Sequence, residues 1–172
     1  MPGSESVVAE GPWTGSTLPE LIGRFGAELL GKANYARFGQ EFPLLVKFID
    51  AREDLSIQVH PDDELARKRH GKSGKCEMWY VLEAEPGASL LTGFSRPIAP
   101  AEYERRVADN TLTDVLNRQA IASGDVFYLP AGRVHSIGKG SFIVEIQQSS
   151  DITYRIYDFD RRDAAGNSRE LH

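Results

Sequence analysis

The chain has 172 residues, enough for one domain with a single hydrophobic core. Its 20 basic and 25 acidic residues give a net charge of -5, which argues against a nucleic-acid or anionic-membrane partner. One cysteine excludes an internal disulfide, and no long apolar run or charged, apolar leader indicates a membrane span or a signal peptide. We therefore expect a cytoplasmic protein, and the composition leaves its oligomeric state open.

The first part of the chain predicts a tail followed by short helices. Residues 1–15 contain three glycines and two prolines without a sustained period, so we expect a tail or wrap before a domain that spans residues 16–172. Thr17 and Glu20 have the spacing of a capping box, with a proline between them. The apolar residues that follow, as far as Leu30, recur at helical spacing and predict one or two short helices.

From residue 42 onward, short apolar segments rich in β-branched and aromatic residues dominate the chain. The segments predicted as strands are 44–49, 55–60, 78–82, 89–91, 125–129, 141–147 and 152–157. Two helical segments interrupt them, one from Pro61 to Gly71 and one from Pro100 to about Asn117. Short strands punctuated by Gly, Pro, Asp and Ser are typical of an all-β sandwich or barrel, so we expect an all-β fold with helical inserts.

Two histidines are the strongest candidates for chemistry. Gln58 and His60 are two positions apart in a predicted strand, so their side chains leave the same face. His135 follows a strand and a Pro-x-Gly corner, and Glu77 is a candidate carboxylate. A lone histidine is more often a hydrogen-bonded barrel residue, but two histidines with a carboxylate suit a divalent metal, either zinc or non-haem iron. The Gln58 oxygen is available as a fourth ligand.

The hairpin that ends at His135 resembles the metal-binding hairpin of the cupin barrels, which implies a jelly-roll barrel. The first cupin motif usually contains His-x-His followed closely by Glu. Here Gln58 replaces the first histidine, and Glu77 lies 17 residues after His60. This departure excludes the commonest dioxygenase pattern.

A narrower resemblance, running from about Ser6 to His172, is to type I mannose-6-phosphate isomerase in its shorter bacterial form. The segments that carry it are 42–47, 55–61, 74–80, 130–135, 145–151 and 153–158. The resemblance implies an isomerase that interconverts mannose 6-phosphate and fructose 6-phosphate through a cis-enediolate. The family usually continues into a second, smaller barrel after the position that matches His172, so the chain resembles the catalytic cupin domain alone.

The resemblance also implies roles for eight residues. It implies that one Zn²⁺ per chain is held by Gln58, His60, Glu77 and His135. It implies that Ser56 and Lys75 bind the phosphate of the sugar, and that Arg155 and Glu145 carry out the chemistry. In this reading Glu145 is the candidate base, and Arg155 stabilises the charge of the enediolate.

Other interpretations remain open. A metal-binding cupin that holds a sugar phosphate without converting it, as a sensor or assembly module, is favoured by the missing second barrel. An iron-dependent oxygenase would use the same ligands but would leave Lys75 and Arg155 without a purpose. Lys75 is alternatively a solvated loop lysine, Ser56 a hydroxyl at a strand edge, and Glu145 a partner in a structural salt bridge.

Overall fold

The structure is a computed structural model, which describes residues 5–172. The chain divides between Leu44 and Leu45 into two compact units. The first unit is helical, with α1 at Leu18–Phe25, α2 at Ala27–Leu30 and α3 at Lys32–Phe38. The sequence predicts only one or two helices here, and α3 was missed because its seven residues lack a regular apolar spacing.

The predicted capping box begins α1. The Thr17 hydroxyl accepts a hydrogen bond from the Glu20 amide at 3.3 Å, and the Glu20 carboxylate accepts one from the Thr17 amide at 2.8 Å. These bonds satisfy two backbone donors that the first turn of a helix leaves without partners. An isolated bridge pairs Val7 with Thr17, so the preceding segment turns back along the start of α1. Residues 1–4 of the predicted tail lie outside the described residues, and the predicted boundary at residue 16 stays a prediction.

The second unit is built on two antiparallel sheets. Its strands are β1 Leu44–Ala51, whose first residue belongs to the helical unit, β2 Ile57–Val59, β3 Glu77–Ala84, β4 Ser89–Phe94, β5 Leu116–Ala120, β6 Val126–Leu129, β7 His135–Ile137, β8 Ser141–Gln148 and β9 Tyr154–Tyr157. One sheet has the strand order β1-β8-β3-β6, and the other has the order β5-β4-β7-β2-β9. The predicted all-β cupin barrel with short helical inserts is therefore confirmed. Its inserts are α4 at Asp63–His70, α5 at Pro100–Ala108 and a 3₁₀ turn at Leu112–Val115.

The hydrophobic core lies between the two sheets. Strands of both sheets contribute its buried residues, which are Ala51, Trp79, Val81, Leu90, Leu129, Ile137 and Ile143. A second cluster covers the other face of the five-stranded sheet, where Ile57 and Ile156 meet Leu112 and Val115 of the 3₁₀ turn. Period-two alternation along the strands therefore separates an inner face from an outer one in each sheet.

The outer face of the four-stranded sheet differs from that of the other sheet. It carries large apolar side chains that remain exposed, namely Val46, Phe48, Met78, Tyr80, Val126 and Tyr128. Phe48 is 71% exposed. No insert within residues 5–172 buries these side chains.

The predicted end of the second helical insert is wrong. The sequence predicts a helical insert as far as Asn117, but the helical segment ends at Val115 and Leu116–Ala120 forms β5. This strand pairs with β4, with Leu91 opposite Arg118. Its sequence, Leu-Asn-Arg-Gln-Ala, has little intrinsic strand preference, so pairing with a neighbouring strand decides its conformation.

Candidate metal centre

Strands of both sheets bring three ligand-type side chains to one buried point. His60 follows β2 and His135 begins β7, and these two strands pair with Gln58 opposite His135. Glu77 begins β3 in the facing sheet. All three residues are at most 2% exposed, and their ligand atoms lie within 4.8 Å of one another. The geometry therefore allows one ion to contact all three.

The two histidine rings are oriented by backbone carbonyls. His60 Nδ1 lies 3.0 Å from the Ile152 carbonyl oxygen, and His135 Nδ1 lies 2.8 Å from that of Arg133. A carbonyl only accepts hydrogen bonds, so each Nδ1 carries a proton and each Nε2 is the ring nitrogen left to contact the cluster. Such a backbone partner is the usual outer contact of a metal-binding histidine.

Both Nε2 atoms lie close to the Glu77 carboxylate. His60 Nε2 lies 3.1 Å from Glu77 Oε1, and His135 Nε2 lies 3.5 Å from Glu77 Oε2. Oε2 accepts a hydrogen bond from the Trp79 indole at 3.2 Å, whereas Oε1 has no correctly oriented hydrogen-bond donor among the described residues. Two imidazole nitrogens and a carboxylate that converge on one buried point are ligands that a divalent metal such as zinc prefers. The donor set therefore fits a divalent metal ion.

The ionisation states also suit a metal. Burial raises the pKa of Glu77, but the contact with His60 and the charges of Lys75 and His135 outweigh it and lower the pKa to about 2. Burial lowers the pKa of His135 to about 4, although the Glu77 charge acts in the opposite direction. At neutral pH the site therefore holds a carboxylate and a neutral imidazole, which are the forms that bind metals.

Gln58 lies at the edge of this cluster. Its amide nitrogen is 3.4 Å from His135 Nε2. Rotation of the amide about the last side-chain bond would present the oxygen in the same place. The structure thus brings all four predicted ligands together, although their role stays a prediction.

Lys75 is buried beside the predicted ligands and not solvated in a loop. Its ammonium nitrogen lies 2.8 Å from Glu77 Oε1 and 3.2 Å from His60 Nε2, and the residue is 6% exposed. The contact with Oε1 is close enough for an ion pair, but its direction is poor for a hydrogen bond. Lys75 therefore supplies positive charge at the candidate metal centre.

Ser56 and Arg155 form a hydrogen-bonded pair near Gln58. The Arg155 Nε donates to the Ser56 hydroxyl at 3.3 Å, and one terminal nitrogen donates to the Glu170 carbonyl at 3.3 Å. Arg155 is opposite Gln58 in the pairing of β2 with β9, so both side chains leave the same face. No carboxylate within residues 5–172 lies at ion-pair distance from this guanidinium.

Glu145 makes an ion pair that involves a residue the sequence analysis did not select. The Lys47 ammonium lies 2.7 Å from Glu145 Oε1 and 2.6 Å from the side-chain oxygen of Gln147. Glu145 is opposite Trp79, and Gln147 is opposite Glu77, so both face the barrel interior beside the candidate metal centre. The only sequence signal for Lys47 was a single charge at an inward position of an apolar strand.

Comparison with known proteins identifies the family of this chain. The sequence profile of the family described as phosphomannose isomerase type I, catalytic domain, matches residues 2–95, which is over half of the chain. The mannose-6-phosphate isomerase of Streptococcus mutans is 42% identical over 99% of this chain, and the mannose-6-phosphate isomerase ManA of Bacillus subtilis is 42% identical over 98%. The crystal structure of a Bacillus subtilis mannose 6-phosphate isomerase superposes with a TM-score of 0.88 at 39% identity over 99% of this chain.

The chain spans about half the length of these relatives. It covers 52% of each of the two sequences and 53% of the crystallised chain. Within residues 5–172, the helices are too short or too polar to cross a membrane.

Proposed function

Because this chain belongs to the family of phosphomannose isomerase type I catalytic domains, we propose that it interconverts mannose 6-phosphate and fructose 6-phosphate with one bound Zn²⁺. The observation that carries the proposal is the buried His60, Glu77 and His135 cluster, in which three potential ligand atoms lie within 4.8 Å of one another and one oxygen of the Glu77 carboxylate has no hydrogen bond. Two imidazole nitrogens and a carboxylate are a typical set of protein ligands for a catalytic zinc ion. Gln58 would be the fourth protein ligand.

The metal, when bound, would polarise the oxygens on C1 and C2 of the open-chain sugar. It would thereby acidify the proton on C2 of the aldose or on C1 of the ketose. Glu145 would remove that proton from C2 of the aldose and deliver it to C1, while a hydroxyl proton passes from O2 to O1. The intermediate is a cis-enediolate. The Lys47 ammonium, 2.7 Å from Glu145 Oε1, would hold the carboxylate of Glu145 in place beside Trp79.

Arg155 would stabilise the negative charge that develops during this transfer. Its guanidinium has no carboxylate partner among the described residues and shares a face with Gln58. A guanidinium that is only partly buried and has no carboxylate partner among the described residues is suited to bind an anionic group of the substrate. Ser56, which accepts a hydrogen bond from Arg155, and Lys75 would contact the phosphate group.

A coupled assay with metal analysis of the same sample tests this proposal. We expect turnover of mannose 6-phosphate, loss of turnover after chelation, and recovery on addition of Zn²⁺. Unphosphorylated mannose is the control substrate and should be converted poorly, because it lacks the group that Lys75 and Ser56 would bind. A metal-loaded protein without turnover would contradict the proposal.

A further inference from the structure

In the loop that carries Lys75, the backbone amides on either side of that residue donate hydrogen bonds to two side chains from separate elements. This Lys75 loop, residues 73–76, lies in the connection between α4 and β3. The Gly74 amide donates to Asp63 Oδ1 at 2.8 Å, and the Cys76 amide donates to the side-chain oxygen of Gln148, also at 2.8 Å. The Gln148 amide nitrogen in turn lies 3.4 Å from Asp63 Oδ1. Asp63 and Gln148, which we call the clamp, therefore fix the backbone on both sides of Lys75.

The loop also packs closely against the start of α4. A Cβ atom at Gly74 would lie 2.5 Å from backbone atoms of Asp62 and Asp63, so no side chain fits there. The Lys75 amide donates to the Pro61 carbonyl at 3.0 Å. A lysine side chain is flexible, and a fixed backbone is one way to restrict where its ammonium group can lie.

The clamp serves the loop and not the end of the helix. The N-cap of α4 is Asp62, whose side chain accepts a hydrogen bond from the Leu65 amide at 2.8 Å. Asp63 is the next residue, but its Oδ1 is directed at Gly74, which is 11 residues away in sequence. The two adjacent aspartates thus have separate hydrogen-bond partners, so a substitution of Asp62 is a matched control for one of Asp63.

We propose that Asp63 and Gln148 are positioning residues that hold the Lys75 ammonium beside the candidate metal centre, where it can meet the phosphate of the substrate. The identity of that anion rests on the proposed function, whereas the positioning of Lys75 does not. The role of the clamp is indirect, because it holds the backbone at Gly74 and Cys76 and thereby restricts the ammonium of Lys75. Displacement of a binding group by about 1 Å is enough to weaken its contribution substantially.

Steady-state kinetics give the first measurement. Asp63→Ala should raise KM for mannose 6-phosphate about tenfold with kcat nearly unchanged, because a phosphate contact stabilises ground and transition states alike. Lys75→Met sets the upper limit, a rise of roughly ten- to a hundredfold. Asp63→Asn keeps an accepting oxygen and should restore KM. Asp62→Ala should lower the melting temperature through loss of the cap but leave KM unchanged.

Acetylation of lysines followed by mass spectrometry gives a second measurement that needs no turnover. Lys75 is 6% exposed and should be labelled slowly in the wild-type protein. Asp63→Ala should accelerate labelling of Lys75 about tenfold relative to the exposed Lys72, whereas Asp62→Ala should not. If Asp63→Ala does not fold, Gln148→Ala opens the other side of the clamp and should give the same two changes.

The outcomes separate the two proposals. Faster labelling and a raised KM confined to the clamp variants would support the positioning role. Equal KM values and equal rates of Lys75 labelling in Asp63→Ala and Asp62→Ala would overturn it. Unchanged labelling of Lys75 in a folded clamp variant would overturn it as well. A wild-type protein that does not convert mannose 6-phosphate would contradict the proposed function, and the labelling experiment would still decide the positioning role.

Discussion

Two buried carboxylates of this protein have opposite surroundings. Asp158, 5% exposed, receives two hydrogen bonds of 2.7 Å from Arg169 and a third from Arg161. Glu77, 1% exposed, receives one from Trp79, and its second oxygen faces His60 and Lys75 without a correctly oriented donor. Both carboxylates stay ionised, because the pKa of each is lowered. Only Asp158 has its hydrogen-bonding capacity filled by the protein.

The difference indicates what each cluster is for. Guanidinium groups are permanently charged, planar and well matched to a carboxylate, so the Asp158 cluster is complete without a ligand. The Glu77 cluster instead combines two imidazoles, the Lys75 ammonium and a carboxylate oxygen without a hydrogen bond, and its imidazole nitrogens and carboxylate are groups that bind metal ions. A charged cluster that the protein satisfies stabilises the fold, and one that it does not satisfy indicates a binding site.

The strongest test removes the histidines that distinguish the Glu77 cluster. His60→Ala and His135→Ala should each lose bound zinc, because loss of a direct ligand lowers metal affinity by more than the roughly 10- to 100-fold typical of an outer contact. Turnover should fall to background together with the zinc content. The metal content of dialysed protein, measured by mass spectrometry, checks this expectation.

His70→Ala is the matched control for these variants. His70 is exposed, and its one side-chain hydrogen bond within the described residues is to the Tyr154 hydroxyl, at 2.8 Å. This variant should keep its zinc. Stoichiometric zinc in both His60→Ala and His135→Ala would place the metal elsewhere.

A second test compares an arginine without a carboxylate partner with one that has such a partner. Arg155→Ala should lower kcat by roughly 10²- to 10³-fold with little change in KM, as for a lost donor to developing negative charge. Arg155→Lys should recover only part of the rate, because lysine lacks the planar fork. Steady-state kinetics at confirmed metal occupancy measure both constants.

Arg169→Ala should instead lower the stability of the fold and leave the rate of turnover nearly unchanged. It removes two hydrogen bonds to Asp158 and should cost about 1–2 kcal/mol of unfolding free energy, a range reduced because the Arg169 side chain is half exposed. Its kcat should stay close to that of the wild type. A raised KM with unchanged kcat in Arg155→Ala would mean that Arg155 binds phosphate and does not act on the transition state.

The smallest expected effect is in the pH dependence of stability. Burial raises the pKa of Asp158, but hydrogen bonds from Arg169 and Arg161 outweigh it, so the folded-state pKa is below the unfolded value of about 3.9. The Asp158 contribution is therefore complete above that unfolded pKa and is lost as the pH falls through the lower folded pKa. Asp158→Asn should be destabilised at pH 6 and should lose less stability than the wild type on acidification. Urea unfolding between pH 6 and 3 tests this, and parallel curves would contradict it.

The sequence was most informative where one short segment contains a whole motif. The capping box at Thr17 and Glu20 and the same-face pair Gln58 and His60 depend on spacings of two or three residues. Such spacings fix geometry locally, because a helix turn and a strand pleat have known periods. The assembly of His60, Glu77 and His135 needed the family resemblance as well, since the three positions are far apart in the chain.

The features that were missed depend on long-range pairing. Lys47 meets Glu145 across 98 residues, and only the adjacency of β1 and β8 shows the contact. β5 has weak strand preference and forms because β4 pairs with it. The clamp of Asp63 and Gln148 spans 85 residues, and its two members are ordinary polar residues at the ends of a helix and a strand. A single sequence gives no local signal for such contacts.

The uncovered outer face of the four-stranded sheet has a practical consequence for unfolding experiments. Environment-sensitive dyes such as anilinonaphthalene sulfonate fluoresce on apolar surface that is open to solvent. Phe48 and Tyr128, 71% and 63% exposed, offer such surface in the native state. A dye-based melting curve of this protein should therefore begin from a bright baseline. The intrinsic fluorescence of the two tryptophans needs no dye, and it reports unfolding of the core through Trp79, which is 0% exposed, whereas Trp13 is already 37% exposed.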